Sequence, residues 1–261
     1  MSEPAVLYDV QDAIAKVTLN RPENRNSMTP DVFEGLNAAV DQVLADDSLR
    51  CVVVSGNGKS FCAGADFRSG VQVGSSDALP HERSFSMYKP FLRLLQIEVP
   101  VIGALNGHAI GGGFGLAMVC DLRVANAEAK YGANFVRLGL HPGMSSTYLL
   151  PRLIGVPRAL ELLLTGRLVT GSEAEALGLV NYAVPADEVK SRAWELASEI
   201  ASAAPVAVRM CKQSIYENLD WNPVAPARVE AHKQSRTVET ADAKEGMQAL
   251  LEKRAPKFEG R

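Results

Sequence analysis

The stretch from His108 to Ala117 reads HAIGGGFGLA, three consecutive glycines followed by Phe114, Gly115 and an apolar run. Before it lies PVIGAL (100–105), an apolar run of the buried-strand type, and FGLAMVC (114–120) reads as the helix that follows. Glycine is a poor helix former, so three of them at a strand-to-helix junction need a positional reason. A helix N-terminus leaves N–H groups unpaired and carries the positive end of the helix dipole. Glycines there let a ligand oxygen approach those N–H groups with no β-carbon in the way. They also allow tight strand–helix packing, and spacing alone does not separate the two readings. FCAGAD (61–66) has the same character, with Gly64 between Ala63 and Ala65. Two such junctions, each aiming one N–H at one oxygen, make an oxyanion hole suited to a thioester enolate.

Two phosphate-cradle motifs are excluded. GNGKS (56–60) resembles the end of a P-loop, but the glycine required five places before Gly58 is Val53. A dinucleotide fingerprint starting at Gly111 needs a sixth-position glycine, which is Leu116.

Working outward, AVLYDVQDAIAKVTL (5–19) predicts two strands around a turn at Gln11–Asp12, and CVVVSG (51–56) a buried strand. Thr29–Pro30 predicts a helix start, a capping hydroxyl with proline at the first helical position. The helix runs to Leu44 with Val32, Leu36, Ala39, Val40 and Val43 on one face. GNGKSFCAGADF (56–67) reads as a loop, residues 69–80 as a mobile surface segment, and residues 82–96 as a helix. DLRVANAEAKYG (121–132) adds a strand and a turn. From Pro151 the chain reads as mostly helical, ending in one charged helix from Val224 to Lys253. Alternating strands and helices followed by a helical tail predict an α/β fold. Residues 1–200 form its core, and 201–261 a C-terminal helical region of the same functional unit.

The bulk numbers agree with one globular unit: 261 residues, 47% hydrophobic. A net charge of -3 gives no basic field for nucleic acid or an anionic membrane. No apolar run is long enough to span a bilayer. The N-terminus lacks the apolar core of a signal peptide, and the 4 cysteines form no C-x-x-C pair. The expectation is a cytoplasmic protein with free thiols and no His-based metal site.

SFCAGADF (60–67), NGHAIGGG (106–113), AMVCDLRVA (117–125), LGLHPG (138–143) and EKRAPKFEGR (252–261), in this order, resemble the crotonase superfamily, also called the enoyl-CoA hydratase/isomerase family. The resemblance runs from NRPENRNSM (20–28) to the C-terminus. It implies a spiral of ββα units followed by helices that mediate trimerisation, giving a homotrimer or a hexamer of two paired trimers. It implies an acyl-CoA substrate, no separate cofactor, and a thioester carbonyl held by the N–H groups of Ala65 and Gly112. Arg25 matches a basic position near the CoA phosphates. Ala63, Ala65, Asp66 and Phe67 match the segment beside adenine and pantetheine. Lys257 and Phe258 match a basic–aromatic pair that reaches CoA, in some members across the trimer. Gly111, Gly115 and Phe135 fall in the substrate pocket.

The chain also departs from the family pattern. The positions matching the two glutamates of a hydratase are Gly115 and Phe135. The position matching the single acid of some isomerases is Gly143. An oxyanion hole stabilises an enolate but moves no proton, and general acid–base help is worth ~100- to 10,000-fold. Among the remaining groups, His141 is the candidate base, with hydrogen bonding to backbone as the alternative. Glu82 and His81 either border the pocket or favour a helix N-terminus. Asn134 and Arg137 flank Phe135 as pocket or surface residues, and His108 and Asp121 read as structural. Three functions follow. The first is an enolate-forming enoyl-CoA hydratase/isomerase-type enzyme, with isomerisation better able to survive the loss of both glutamates. The others are a non-catalytic acyl-CoA-binding protein and a CoA-thioester hydrolase or lyase using a non-standard base.

Overall fold

The computed structural model describes residues 3–65, 79–219 and 233–261. Strands β1 (Val6–Gln11) and β2 (Ile14–Leu19) form an antiparallel hairpin. It turns on Asp12 and Ala13, both in the left-handed region at φ 53° and 59°. Helix α1 (Pro30–Leu44) buries the predicted face with Phe33 added. The Thr29 hydroxyl does not cap it; it donates to the Asp31 carboxylate instead.

Three turns of one motif follow. β3 (Cys51–Gly56) and β4 (Ser60–Cys62) precede α2 (Pro80–Leu92), which continues as a 3-10 turn through Gln96. β5 (Val101–Leu105) and β6 (His108–Ile110) precede α3 (Gly112–Val119). β7 (Leu122–Asn126) and β8 (Lys130–Gly132) precede α4 (Ser146–Ile154) and α5 (Val156–Thr165). In each turn the first strand joins one sheet and the second strand another, so the chain winds as a spiral. Then come β9 (Val169–Thr170), α6 (Gly171–Ala176), β10 (Tyr182–Val184), α7 (Val189–Ala201), α8 (Pro205–Asn218) and α9 (Ala241–Glu252). The large sheet has the order β1-β2-β3-β5-β7-β10 and is parallel from β2 onward. The small sheet has the order β4-β6-β8-β9. This is the expected α/β arrangement of ββα units.

Both faces of the large sheet are covered, which is why β3 has no polar face. Cys51 and Val53 pack under α7, against Val189, Ala193 and Ala197. Val52 and Val54 point into the main core with α1 and α3. The small residues of α7, spaced four apart, let that helix lie close on the sheet.

Several expectations need correction. The region read as a loop at 56–67 contains β4. The tail read as helical contains β9 and β10. These strands have two or three residues, too short to show a period. The final charged helix is not continuous. Thr240 interrupts it, and its side chain accepts from the Ala243 N–H and starts α9. Residues 224–232 of that reading, and 69–78 of the segment read as mobile, lie outside the described residues. Among the described residues no helix is long and apolar enough to cross a membrane.

Candidate active site

β4 and β6 pair in parallel, Cys62 opposite Ala109, so their carboxyl ends emerge side by side. Such ends are where open α/β sheets hold ligands. Glycines let the two junctions touch. A β-carbon on Gly64, at φ 84°, would sit 2.6 Å from the Ile110 carbonyl oxygen. One on Gly113 would overlap the Cys62 carbonyl, and one on Gly112 would overlap the Met28 sulfur. Gly111 turns the chain into α3 at φ 58°. Close packing therefore accounts for Gly112 and Gly113, and backbone conformation for Gly111.

Met28 locks the junction from the other side. It bridges Ala65 in parallel, and its N–H donates to the Gly64 carbonyl at 2.9 Å. Among the described residues neither the Ala65 nor the Gly112 N–H has a backbone acceptor. Both residues line one cavity of about 830 Å³. α3, whose eight residues are all buried, brings its N-terminus to this cavity.

One wall comes from α2, with Ser84, Phe85, Met87, Tyr88 and Leu92. The other is the segment after β8, with Asn134, Phe135, Leu138, Leu140 and residues 141–145. Among the described residues no Asp, Glu, Lys or Arg lines the cavity, and its titratable side chains are Tyr88 and His141.

The structure brings Ala63, Ala65, Gly111, Gly112, Phe135, Asn134 and His141 to this cavity. Phe135 is half-buried and His141 exposed. Gly115 lies one helical turn behind, where a β-carbon would overlap the Met144 Cβ and lie 2.8 Å from its Cγ. Met144 is fully buried at φ 58°, and Ser145 follows at φ 55°. Arg25 is exposed beside the site, its carbonyl accepting from the Ala63 N–H at 3.1 Å. Asp66 and Phe67 lie outside the described residues.

Other candidates stand elsewhere. The Glu82 carboxylate accepts from the Leu79 N–H at 2.9 Å and so caps α2; neither it nor His81 lines the cavity. Arg137 turns to the Thr165 carbonyl at 2.9 Å. His108 accepts on Nδ1 from the Lys130 N–H at 2.9 Å, a structural role. Within this chain Lys257 and Phe258 are held apart from the cavity. The Lys257 N–H donates to Glu245 at 2.8 Å and the Phe258 carbonyl accepts from Arg50 at 2.6 Å. Asp121 is structural: it accepts from the Val101 N–H, Lys212 and the Tyr216 hydroxyl, each at 2.7 Å.

Two residues escaped the sequence reading. Tyr88 carried a weak signal: it falls one helical turn after Ser84 in a segment already read as helical, and both face the cavity. Met144 carried none, because its contact with Gly115 is purely tertiary.

Burial pushes the Cys51, Cys62 and Cys120 thiols up to about 12. They stay protonated near neutral pH and are poor nucleophiles. Among the described residues no three His, Cys, Asp or Glu side chains are placed to share a metal ion.

Comparison with known proteins converges on one group. The profile of the family described as Enoyl-CoA hydratase/isomerase matches residues 9–261. The short-chain-enoyl-CoA hydratase of Clostridium acetobutylicum is 35% identical, over 98% of this chain and 97% of its own. The crystal structure of an enoyl-CoA hydratase from Bacillus anthracis superposes with a TM-score of 0.92 at 34% identity, covering 98% of this chain and 100% of that one. An enoyl-CoA hydratase from Mycobacterium tuberculosis gives 0.87 at 32% identity, covering 99% and 100%.

Proposed function

The chain belongs to the enoyl-CoA hydratase/isomerase family, and from that premise we propose that it binds an acyl-CoA thioester and stabilises its enolate between the N–H groups of Ala65 and Gly112. One observation carries this reading. Two junctions from different turns of the spiral meet at one cavity, and neither amide has a backbone acceptor among the described residues. Such donors need no reorganisation when charge develops on the thioester oxygen. Coenzyme A enters as part of the substrate, and the chemistry calls for no further cofactor. Arg25, exposed to solvent, would meet the CoA phosphates. Lys257 and Phe258, which do not reach this cavity in their own chain, would serve a neighbouring subunit of a trimer.

The reaction within the family follows from the cavity wall. Hydration across a double bond needs a base on water and an acid on carbon, which paired carboxylates supply. No carboxylate lines this cavity among the described residues. We read Gly115 and Phe135 as replacements of those two groups, with Phe135 making that wall apolar. Moving a double bond needs one proton shuttled between two carbons, so isomerisation is the better match. Among the described residues, proton transfer then falls to one of the two titratable side chains on the wall, His141 or Tyr88.

The experiment is a paired assay of 3-enoyl-CoA isomerisation and crotonyl-CoA hydration, with thioester affinity measured by calorimetry. Isomerisation is expected, with hydration slower by ~100-fold or more than a two-glutamate enzyme achieves. Hydration at the full rate of such an enzyme would overturn the reading of Gly115 and Phe135. Tight binding with neither reaction would favour a non-catalytic acyl-CoA-binding protein, a reading that the lack of a carboxylate on the wall among the described residues also supports.

A further inference from the structure

We propose that the Tyr88 hydroxyl is the proton-transfer group of this cavity, occupying the space that a side chain at position 143 would otherwise fill. The inference rests on the enolate reading above and deepens it. A β-carbon built on Gly143 would overlap Tyr88 Oη and lie 2.8 Å from its Cζ. Gly143 is buried, and its φ lies outside the left-handed region, so its backbone would accept a side chain. What excludes one there is the tyrosine. The ring is half-buried on the cavity face of α2, and Oη has no hydrogen-bond partner among the described residues.

This contrasts with the other tyrosine hydroxyls that reach into the fold. Tyr131 donates to the Leu105 and Asn126 carbonyls at 3.1 and 3.2 Å, and Tyr216 to Asp121 at 2.7 Å. Both are committed to structure. Tyr88 brings a donor and acceptor to the part of the wall it shares with Phe85, Leu92, Phe135 and Met144, and among the described residues the fold makes no use of that hydroxyl. His141 lines the same cavity but is exposed, whereas Tyr88 is half-buried.

The step balances with Tyr88 alone. As phenolate, Oη takes one proton from C2 of a bound 3-enoyl thioester. The C–H electrons form the C1–C2 double bond and the carbonyl pair moves to oxygen, where the Ala65 and Gly112 N–H groups hold it. Tyr88 is now a phenol. It returns the proton to C4 as the oxygen pair falls back, the double bond becomes C2–C3, and Tyr88 is a phenolate again. Nothing is oxidised or reduced, and no proton is gained or lost.

The test uses the full chain with a 3-hexenoyl-CoA probe. Product is followed by the absorbance of the conjugated 2-enoyl thioester, and affinity by calorimetry. Tyr88→Phe keeps the ring that packs against Gly143, so folding is preserved and checked by its melting temperature. Its kcat is expected to fall ~100-fold or more with little change in affinity. His141 is the other titratable group lining the cavity among the described residues, so His141→Ala is the control, expected to lose far less of kcat than Tyr88→Phe. A Tyr88→Phe rate within about threefold of wild type, or a fall in His141→Ala as large as that expected of Tyr88→Phe, would overturn the assignment to Tyr88 while leaving the enolate reading intact. A wild-type chain that binds the probe without isomerising it overturns both the shuttle and the enzyme, and one that fails to bind it overturns the family ligand as well.

Discussion

The two ends of α3 are treated in opposite ways. At its C-terminus the buried Arg123 guanidinium donates to the Ala117 and Cys120 carbonyls and, at 2.8 Å, to the Leu179 carbonyl. A cation there complements the negative end of the helix dipole. Burial pulls the Arg123 pKa below its ordinary value, yet an arginine stays charged. Next to it, Asp121 holds Lys212 of α8, whose Nζ also donates to the Ile97 and Val99 carbonyls at 2.7 and 2.9 Å. Among the described residues, no charged side chain lines the cavity at the N-terminus of the same helix, and the Gly112 amide has no backbone acceptor. Polar groups at one end are fully engaged in holding the fold together. At the other end they are left available to a ligand. In a buried environment an unmet donor is costly, and its persistence at a cavity supports the ligand site proposed at this end.

The sharpest way to break this contrast is Gly113→Ala. Its β-carbon would overlap the Cys62 backbone carbonyl, which cannot swing aside, so the two junctions must separate. The expected result is a loss of about 3 kcal/mol in urea unfolding together with loss of thioester binding. Retained binding would show that the junctions need not touch. Arg123→Met tests the opposite end. It strips the partners from several buried carbonyls and should cost about 2 kcal/mol, while thioester affinity in the folded protein stays unchanged. A parallel loss of affinity would show that the two ends are coupled.

A smaller effect sharpens the view of the neutral end. Gly115→Glu alone forces its side chain onto Met144 and should lower stability by about 1–2 kcal/mol. Adding Met144→Gly removes that overlap and suits the φ of 58° at that position. The double variant should therefore melt above the single one and gain hydration activity in the crotonyl-CoA assay. If the single variant is as stable as wild type, Met144 is not what keeps position 115 empty.

The long elements were legible in the sequence because their patterns are local. The α1 stripe, the apolar run of β3 and the residues 5–19 hairpin each need only a few neighbours in the chain to declare themselves. The short strands β4, β6, β8 and β9 were not legible. Each has two or three residues and owes its conformation to a partner far away in sequence. The site divides in the same way. Ala65, Gly112 and Phe135 were found through motifs, whereas Tyr88 and Met144 were not, because their importance lies in contacts with Gly143 and Gly115.

By itself the sequence determined the α/β class, the family likeness, the two glycine-marked junctions and the absence of an acid at positions 115, 135 and 143. Only the tertiary structure decided that the junctions meet, that Met144 and Tyr88 occupy the space beside two of those positions, and that no carboxylate among the described residues takes over on the cavity wall. The reason is physical. Propensity and capping act over a few residues, but a catalytic wall is assembled from side chains of separate turns of a spiral, and what fills a given volume is settled only when those turns pack.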